Sequence, residues 1–237
     1  MQINTPWLRE LVAACERRAL LRADHAISVA DGDRRHFASQ GVDTTLIPNC
    51  VDPRRLEYSL PVNSESLLRE LFDIDLGERP AILFVGASHP PNTEAALEIQ
   101  RMASAFGESD SAAPLFVVAG SCLEPGRSEN FLSLGSLDEL ALSALYDAAA
   151  LVLIPLLDGT GMSLKTVEAM ALGKAIIGTR VGFRSIPIKN GIEAIVEDDL
   201  AEYPQLVAQL LADNSTRRSL GGARRTLLPS HSFFGMP

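Results

Sequence analysis

From Pro80 onward, short runs of β-branched and leucine residues recur between amphipathic segments, and most of those runs do not alternate apolar with polar. A strand that is apolar on both sides needs cover on both sides, and strands separated by helices pair in parallel. The rhythm therefore dictates an α/β fold, a doubly wound parallel sheet. Strands are predicted at 81–85, 115–119, 131–134, 150–154, 174–178 and 193–196. Helices are predicted at 92–106, 137–149, 163–172, 203–212 and 215–227, with Gly173 as a stop signal. Ser136-Leu137-Asp138-Glu139 reads as a capping box opening one of them. Ligands of such sheets sit beyond the carboxyl ends of the strands, so function is expected in the loops after Val85, Ala119, Leu134 and Ile154.

The first sixty residues carry a shorter version of the pattern. Thr5 before Pro6 reads as an N-cap with proline at the first helical position, and Trp7, Leu8, Leu11, Val12, Cys15 and Ala19 recur at helical spacing to about Leu21. Strands are expected at 25–29 and 44–47, around a helix capped by Asp31 and ending at Gly41. Residues 49–79, with Pro53, Pro61 and one helix near 64–72, read as a connection. The expected organisation is an incomplete N-terminal α/β segment over 1–60, a linker over 61–77, a complete domain over 78–228 and a tail over 229–237. Two helices and two strands fall short of a sheet that hides its own apolar face, so the N-terminal segment must pack on something.

Thirty acidic residues against 21 basic ones give a net charge of −9, which argues against a nonspecific nucleic-acid or anionic-membrane binder. The uncharged run Ala148 to Leu157 is far shorter than the roughly 20 residues a membrane helix needs. No transmembrane segment is expected, and the charged N-terminus lacks the profile of a secretory signal. A cytoplasmic location follows, with peripheral attachment to a membrane left open. Cys15, Cys50 and Cys122 are odd in number and form no CxxC, so they read as buried free thiols. Asp31-Gly32-Asp33 and Asp73-Ile74-Asp75 are Asp-x-Asp strings, but neither follows a strand of the main sheet, and the four histidines show no ligand spacing. No metal is expected.

The richest local pattern runs from Asp158 to Met170, DGTGMSLKTVEAM, a glycine-rich turn leading from a buried strand into a helix. Gly159 and Gly161 let the backbone approach a ligand, and the amides of Met162, Ser163 and Leu164 stand at the positive end of the helix dipole. An anion site is expected there. At about 100° per residue, Leu164, Val167 and Ala171 are predicted to form the buried stripe, with Glu168 only about 40° from Leu164. A carboxylate beside the core needs donors. Lys165 stands three residues before Glu168 on the same edge of the helix start; a lysine–glutamate pair that merely closes the helix end accounts for the local pattern as well as a ligand site does.

The string GTGMSLKTVEAMALGKAIIGT resembles the donor-site signature of the retaining GT-B glycosyltransferases of the group 1 (family 4) type, related to sucrose synthase and phosphatidylinositol mannosyltransferases. Three further blocks match in order: RADHAISVADGDRRHF with LIPNCVD, AILFVGASHPPNTEAA, and LSLGSLDELALSALYDAAALVLIPL. The likeness covers about residues 20–222. It implies a Rossmann-like donor domain binding a UDP- or GDP-sugar without further cofactor, preceded by the end of an acceptor domain.

Residue by residue, the resemblance makes Glu168 the carboxylate that accepts the donor ribose hydroxyls. Gly161, Met162, Ser163 and Leu164 become the amide cradle for the diphosphate, with Thr160 beside them among the donor-binding residues. Leu134, Gly135 and Ser136 become the backbone facing the base, and Gly86 begins the loop that crosses the phosphates. The sequence also departs from the family. The position eight before Glu168 is Thr160 where an acid is usual, and the Arg and Lys common after the first strand align with Ala87 and Thr93. Lys165 is the candidate replacement for that cationic clamp, with His89 and Asn92 as further donors; Asn92 also reads as the N-cap of the following helix.

The resemblance thus implies transfer of a sugar to a hydroxyl acceptor with retention and without metal, Lys165 and Glu168 being the central pair. Partners expected are the nucleotide-sugar donor, the acceptor, and a separate N-terminal half or a second copy. The competing reading is a noncatalytic nucleotide-sugar binding or scaffolding module, for which Thr160, Ala87 and Thr93 speak. A GT-B-like sugar-nucleotide epimerase shares the architecture but not the four ordered blocks. No G-x-S-x-G elbow or Walker-type loop is present.

Overall fold

The computed structural model describes residues 6–52, 60, 63–77, 79–106 and 113–222. The expected Thr5 cap and the tail therefore lie outside the described residues. The chain divides into two compact units, residues 1–49 with 160–162, and the remainder.

In the first unit, α1 (Pro6–Leu20) is followed by β1 (Ile27–Ser28), α2 (Asp31–Ser39) and β2 (Thr45–Leu46). β1 and β2 pair in parallel, and the Ser28 and Thr44 hydroxyls share a buried hydrogen bond of 2.6 Å. α1 has no buried residue, and Trp7, Leu11 and Val12 stand about half or more exposed. Consequently Cys15 is exposed, as is Cys50; of the three thiols expected in a core only Cys122 is buried. Asp31 does not cap α2. Ala30 occupies the N-cap position, and the Asp31 carboxylate, inside the first turn, pairs with Arg34 and Arg35.

The second unit opens with α3 (Ser64–Phe72), capped by the Asn63 side chain accepting from the Ser66 amide at 2.7 Å. Its Leu67 and Leu68 join the hydrophobic core of the sheet. There follow β3 (Ala81–Val85), α4 (Pro90–Ala105), β4 (Leu115–Ala119), β5 (Gly126–Ser128), β6 (Phe131–Ser133), α5 (Glu139–Ala148) and β7 (Ala149–Ile154). α6 (Leu164–Ala171), β8 (Ile176–Gly178), β9 (Ile195–Val196), a 3-10 turn, α7 (Tyr203–Ala212) and α8 (Asn214–Gly222) complete it. The seven strands lie in the order β5-β6-β4-β3-β7-β8-β9. β3, β4 and β7 are the central strands and the most apolar; Phe84, Phe116 and Leu153 are fully buried.

All pairs are parallel except β5 with β6. That antiparallel edge strand, Gly126-Arg127-Ser128, was not expected: three exposed residues without apolar patterning carry no periodic signal. Two expected caps also move. Asp138, not Ser136, caps α5 by accepting from the Ala141 amide at 2.8 Å, because the helix starts later than the capping-box reading requires. His89 holds the N-cap position of α4, with prolines filling the first turn, so Asn92 lies inside the helix.

Candidate functional site

Chain order reverses at β3. From there the strands run outward through β4 and β6 on one side, and through β7 and β8 on the other. The loops after β3 and β7 consequently part in opposite directions and leave a crevice at their carboxyl ends, the place where open sheets of this kind bind ligands.

Three glycines line up at these strand ends. Gly120, after β4, has φ +99°, and a Cβ on it would lie 2.2 Å from the Gly86 carbonyl oxygen. Only glycine allows two loops to touch so closely. The Gly86 amide donates to Ala119 O, the Gly86 carbonyl accepts from Cys122, and the Gly120 amide donates to Gly135 O at 2.7 Å. The three loops are thereby laced into one floor. Gly86 is itself buried among Phe84, Asn92 and Cys122, and Gly135 is buried against Pro125. Leu134 is half-buried, its amide bonded to Val118 O, while Ser136 is exposed.

The glycine-rich turn follows β7 in the chain and leads into α6. Gly159 and Gly161 both have positive φ, 147° and 67°. Thr160 is exposed and Met162 half-buried. Ser163 is buried as the N-cap residue of α6; its carbonyl receives the Thr166 and Val167 amides and its hydroxyl shares a hydrogen bond of 2.8 Å with Thr166 Oγ1. Thr166 Oγ1 also donates to Gly182 O at 2.7 Å, and Thr179 Oγ1 donates to Leu156 O. These buried hydroxyls staple the loop after β8 to the start of α6. Leu164 departs from expectation: it is 62% exposed instead of forming the buried stripe, which consists of Thr166, Val167, Ala169, Met170 and Ala171. The first residue of the helix faces out where the turn opens, before the stripe begins.

Lys165 bridges the crevice. Its Nζ donates to Asn92 Oδ1 and lies 4.9 Å from the centroid of the Phe84 ring, so residues after and within β3 hold a side chain that follows β7. Asn92 is anchored in turn by its Nδ2 donating to Ala87 O at 2.8 Å. Burial, foremost, depresses the Lys165 ammonium to about 8, and the neighbouring Arg184 pushes it the same way. Cys122 would raise it as a thiolate, but burial lifts that thiol above its ordinary range and leaves it neutral at neutral pH. Arg184 is half-buried; its Nη1 donates to Val181 O, and a Cβ on Gly159 would come within 2.9 Å of its guanidinium carbon. Glu168, half-buried on the same helix, accepts from the Tyr146 hydroxyl at 3.1 Å. Lys165 and Glu168 thus each have a partner from another element. His89 is exposed at the mouth of the crevice loop, its carbonyl taken by the Asn92 and Thr93 amides.

Phe84, Tyr146 and Arg184 were not singled out from the sequence. A strand aromatic, a tyrosine in the last turn of a helix and an arginine in a loop carry no local pattern that separates them from core or surface residues.

Among the described residues, no group of three or more His, Cys, Asp or Glu is placed to hold a metal ion, and no helix is long and apolar enough to cross a membrane.

A family profile described as Glycosyl transferases group 1 matches residues 79–213, more than half of the chain. The chain belongs to this glycosyltransferase family. No curated protein matches it significantly. Solved structures agree on the fold of the glycosyltransferase. The sucrose-phosphate synthase of Thermosynechococcus elongatus superposes with a TM-score of 0.68 at 21% identity, over 94% of this chain and 58% of its own. HepE of Anabaena, solved in complex with UDP and glucose, gives 0.69 at 16% identity, over 87% of this chain and 58% of its own. WaaG, a glycosyltransferase involved in lipopolysaccharide biosynthesis, gives 0.65 at 18%, over 84% and 56%. The chain therefore spans less than three fifths of the length of each. The Rossmann-like GT-B architecture expected from the sequence is the one found.

Proposed function

We propose that residues 78–228 form the nucleotide-sugar donor domain of a retaining glycosyltransferase, and residues 1–60 the end of its acceptor domain. The observation that carries the reading is Lys165, an ammonium held by Asn92 and the Phe84 face in the crevice between β3 and β7. A cation buried in this way weakens the empty protein and is accounted for by an anion that joins it. The diphosphate of a UDP- or GDP-sugar fits, lying against the amides of Gly161 to Leu164 with Arg184 as a second cation. Glu168 accepts the ribose hydroxyls, and the Leu134 to Ser136 backbone faces the base. When the bond from the sugar to the diphosphate breaks and a new one forms to the acceptor hydroxyl oxygen, whose proton passes to the departing phosphate oxygen, negative charge develops on the leaving diphosphate. Lys165 is already there to meet it, without a metal. The acidic charge and the UDP in a structural neighbour support a nucleotide-sugar partner over nucleic acid. We assign it to the cytoplasm, free or peripheral to the membrane.

Thr160, Ala87 and Thr93 favour the second reading, a donor-binding module that does not transfer. A thermal-shift series with UDP, GDP, UDP-glucose and GDP-mannose, with and without Mg²⁺, tests both on the wild type, Glu168→Ala and Lys165→Ala. Ligand at 100 times its dissociation constant is expected to add about 2.7 kcal/mol to the wild type and much less to either variant. Absence of any shift rejects donor binding, and a shift that requires Mg²⁺ rejects the metal-free mechanism. Binding without sugar release in the presence of acceptors supports the second reading.

A further inference from the structure

The Tyr146 hydroxyl has no part in the reading above, yet it touches the centre of the site. It belongs to a side chain only 2% exposed, in the last turn of α5, and donates to Glu168 Oε2 at 3.1 Å. A tyrosine buried for packing alone is as well served by phenylalanine, since an interior hydroxyl must find a partner merely to break even. Here the partner is a half-buried carboxylate on another helix. A donor fixed to one oxygen sets the plane of the carboxylate and restricts the rotamer of a long, flexible side chain before any ligand binds.

The position of α5 adds to this. It is pinned at its start by the Asp138 cap, immediately after the Leu134–Ser136 stretch, and presents Tyr146 two turns later. One rigid helix therefore links the segment expected to face the base with the group expected to face the ribose.

Resting on the donor-site reading, we propose that Tyr146 is a positioning residue: it holds the Glu168 carboxylate in the orientation that recognises the ribose hydroxyls. Phenylalanine at 146 keeps the ring and removes one oxygen atom, so the effect falls on ribose recognition and not on the diphosphate.

The test is calorimetric titration of the wild type, Tyr146→Phe, Glu168→Ala and the double variant with UDP and with 2′,3′-dideoxy-UDP, or with the GDP pair if GDP binds more tightly. The wild type is expected to favour the ribonucleotide by about tenfold or more. Tyr146→Phe is expected to lose most of that preference while binding the dideoxy compound as the wild type does, and to add nothing on the Glu168→Ala background. The preference is a ratio within one sample, so a partly unfolded variant does not distort it. A Tyr146→Phe protein that keeps the full wild-type preference overturns the proposal and leaves the donor site standing. A wild type that binds neither UDP nor GDP overturns the donor site itself, and this proposal with it.

Discussion

Lys165→Met is expected to make the protein more stable and to weaken diphosphate binding severely. The depression of the ammonium from its ordinary 10.5 to about 8 amounts to ~3 kcal/mol favouring the uncharged amine inside the fold. Methionine has a similar length and no charge, so the desolvation penalty disappears. The Asn92 hydrogen bond goes with it, offsetting about 1 kcal/mol. The net gain is about 2 kcal/mol at pH 7, which for a domain of this size raises Tm by roughly 4–8 °C.

The pH dependence gives a second reading of the same number. Native Lys165 releases its proton near 8, whereas the unfolded chain keeps it until 10.5. Between those values the unfolded state binds more protons, so wild-type stability gains ~1.4 kcal/mol per pH unit from this group. The advantage of Lys165→Met therefore holds below pH 8 and closes as pH rises toward 10.5. Urea unfolding of both proteins from pH 7 to 10.5 measures the difference and cancels the other titrating groups. UDP affinity of the wild type is expected to fall tenfold per unit above about pH 8, and that of the variant to be weak throughout. A Lys165→Met protein that is less stable than wild type at pH 7, or that binds UDP normally, refutes the reasoning.

Two further perturbations follow from the same geometry. Arg184→Ala removes a like charge that depresses Lys165, so the pH at which UDP affinity begins to fall is expected to move upward, while affinity at pH 7 drops about tenfold with the lost charge-assisted contact; calorimetry at several pH values reads both, and an unmoved midpoint counts against the pairing. Gly120→Ala forces a methyl group to within 2.2 Å of a backbone oxygen at a φ of +99°, and is expected to destabilise the protein by about 3 kcal/mol or more in urea unfolding, an unchanged midpoint speaking against the laced floor.

Strands β3 and β4 coincide with their sequence-based positions residue for residue, as do α3 and α7, because full burial or a clear apolar stripe leaves only one reading of those segments. β5 escaped because an exposed three-residue edge strand is held by its neighbour and not by its own composition. Leu164 was misplaced because a helical wheel assumes the face continues through the first residue, where the turn opens instead. In the site, Lys165 and Glu168 stand out locally through glycines and helix spacing. Their partners do not: Asn92 is 73 residues from Lys165 and Tyr146 is 22 from Glu168, distances that only the sheet order closes.

On the donor-site reading, that sheet order also allows a clamp missing from its usual place to be supplied from elsewhere. The loop after β3 with the first turn of α4, where Ala87 and Thr93 stand, and the start of α6, where Lys165 stands, border one crevice, since β3 and β7 are neighbours. On that reading the crevice fixes where positive charge must lie, and either bank is expected to be able to supply it. Thr93 already reaches toward the floor, its hydroxyl donating to Cys122 O at 3.1 Å. A lysine at that position is therefore expected to replace the missing ammonium: Lys165→Met with Thr93→Lys should recover at least about fivefold in UDP affinity over Lys165→Met alone, about 1 kcal/mol by calorimetry. The recovered affinity should also titrate, falling as pH rises through the pKa of the new amine. If the double variant binds no better than the single one, the charge acts only from the helix start, and the equivalence of the two banks is wrong.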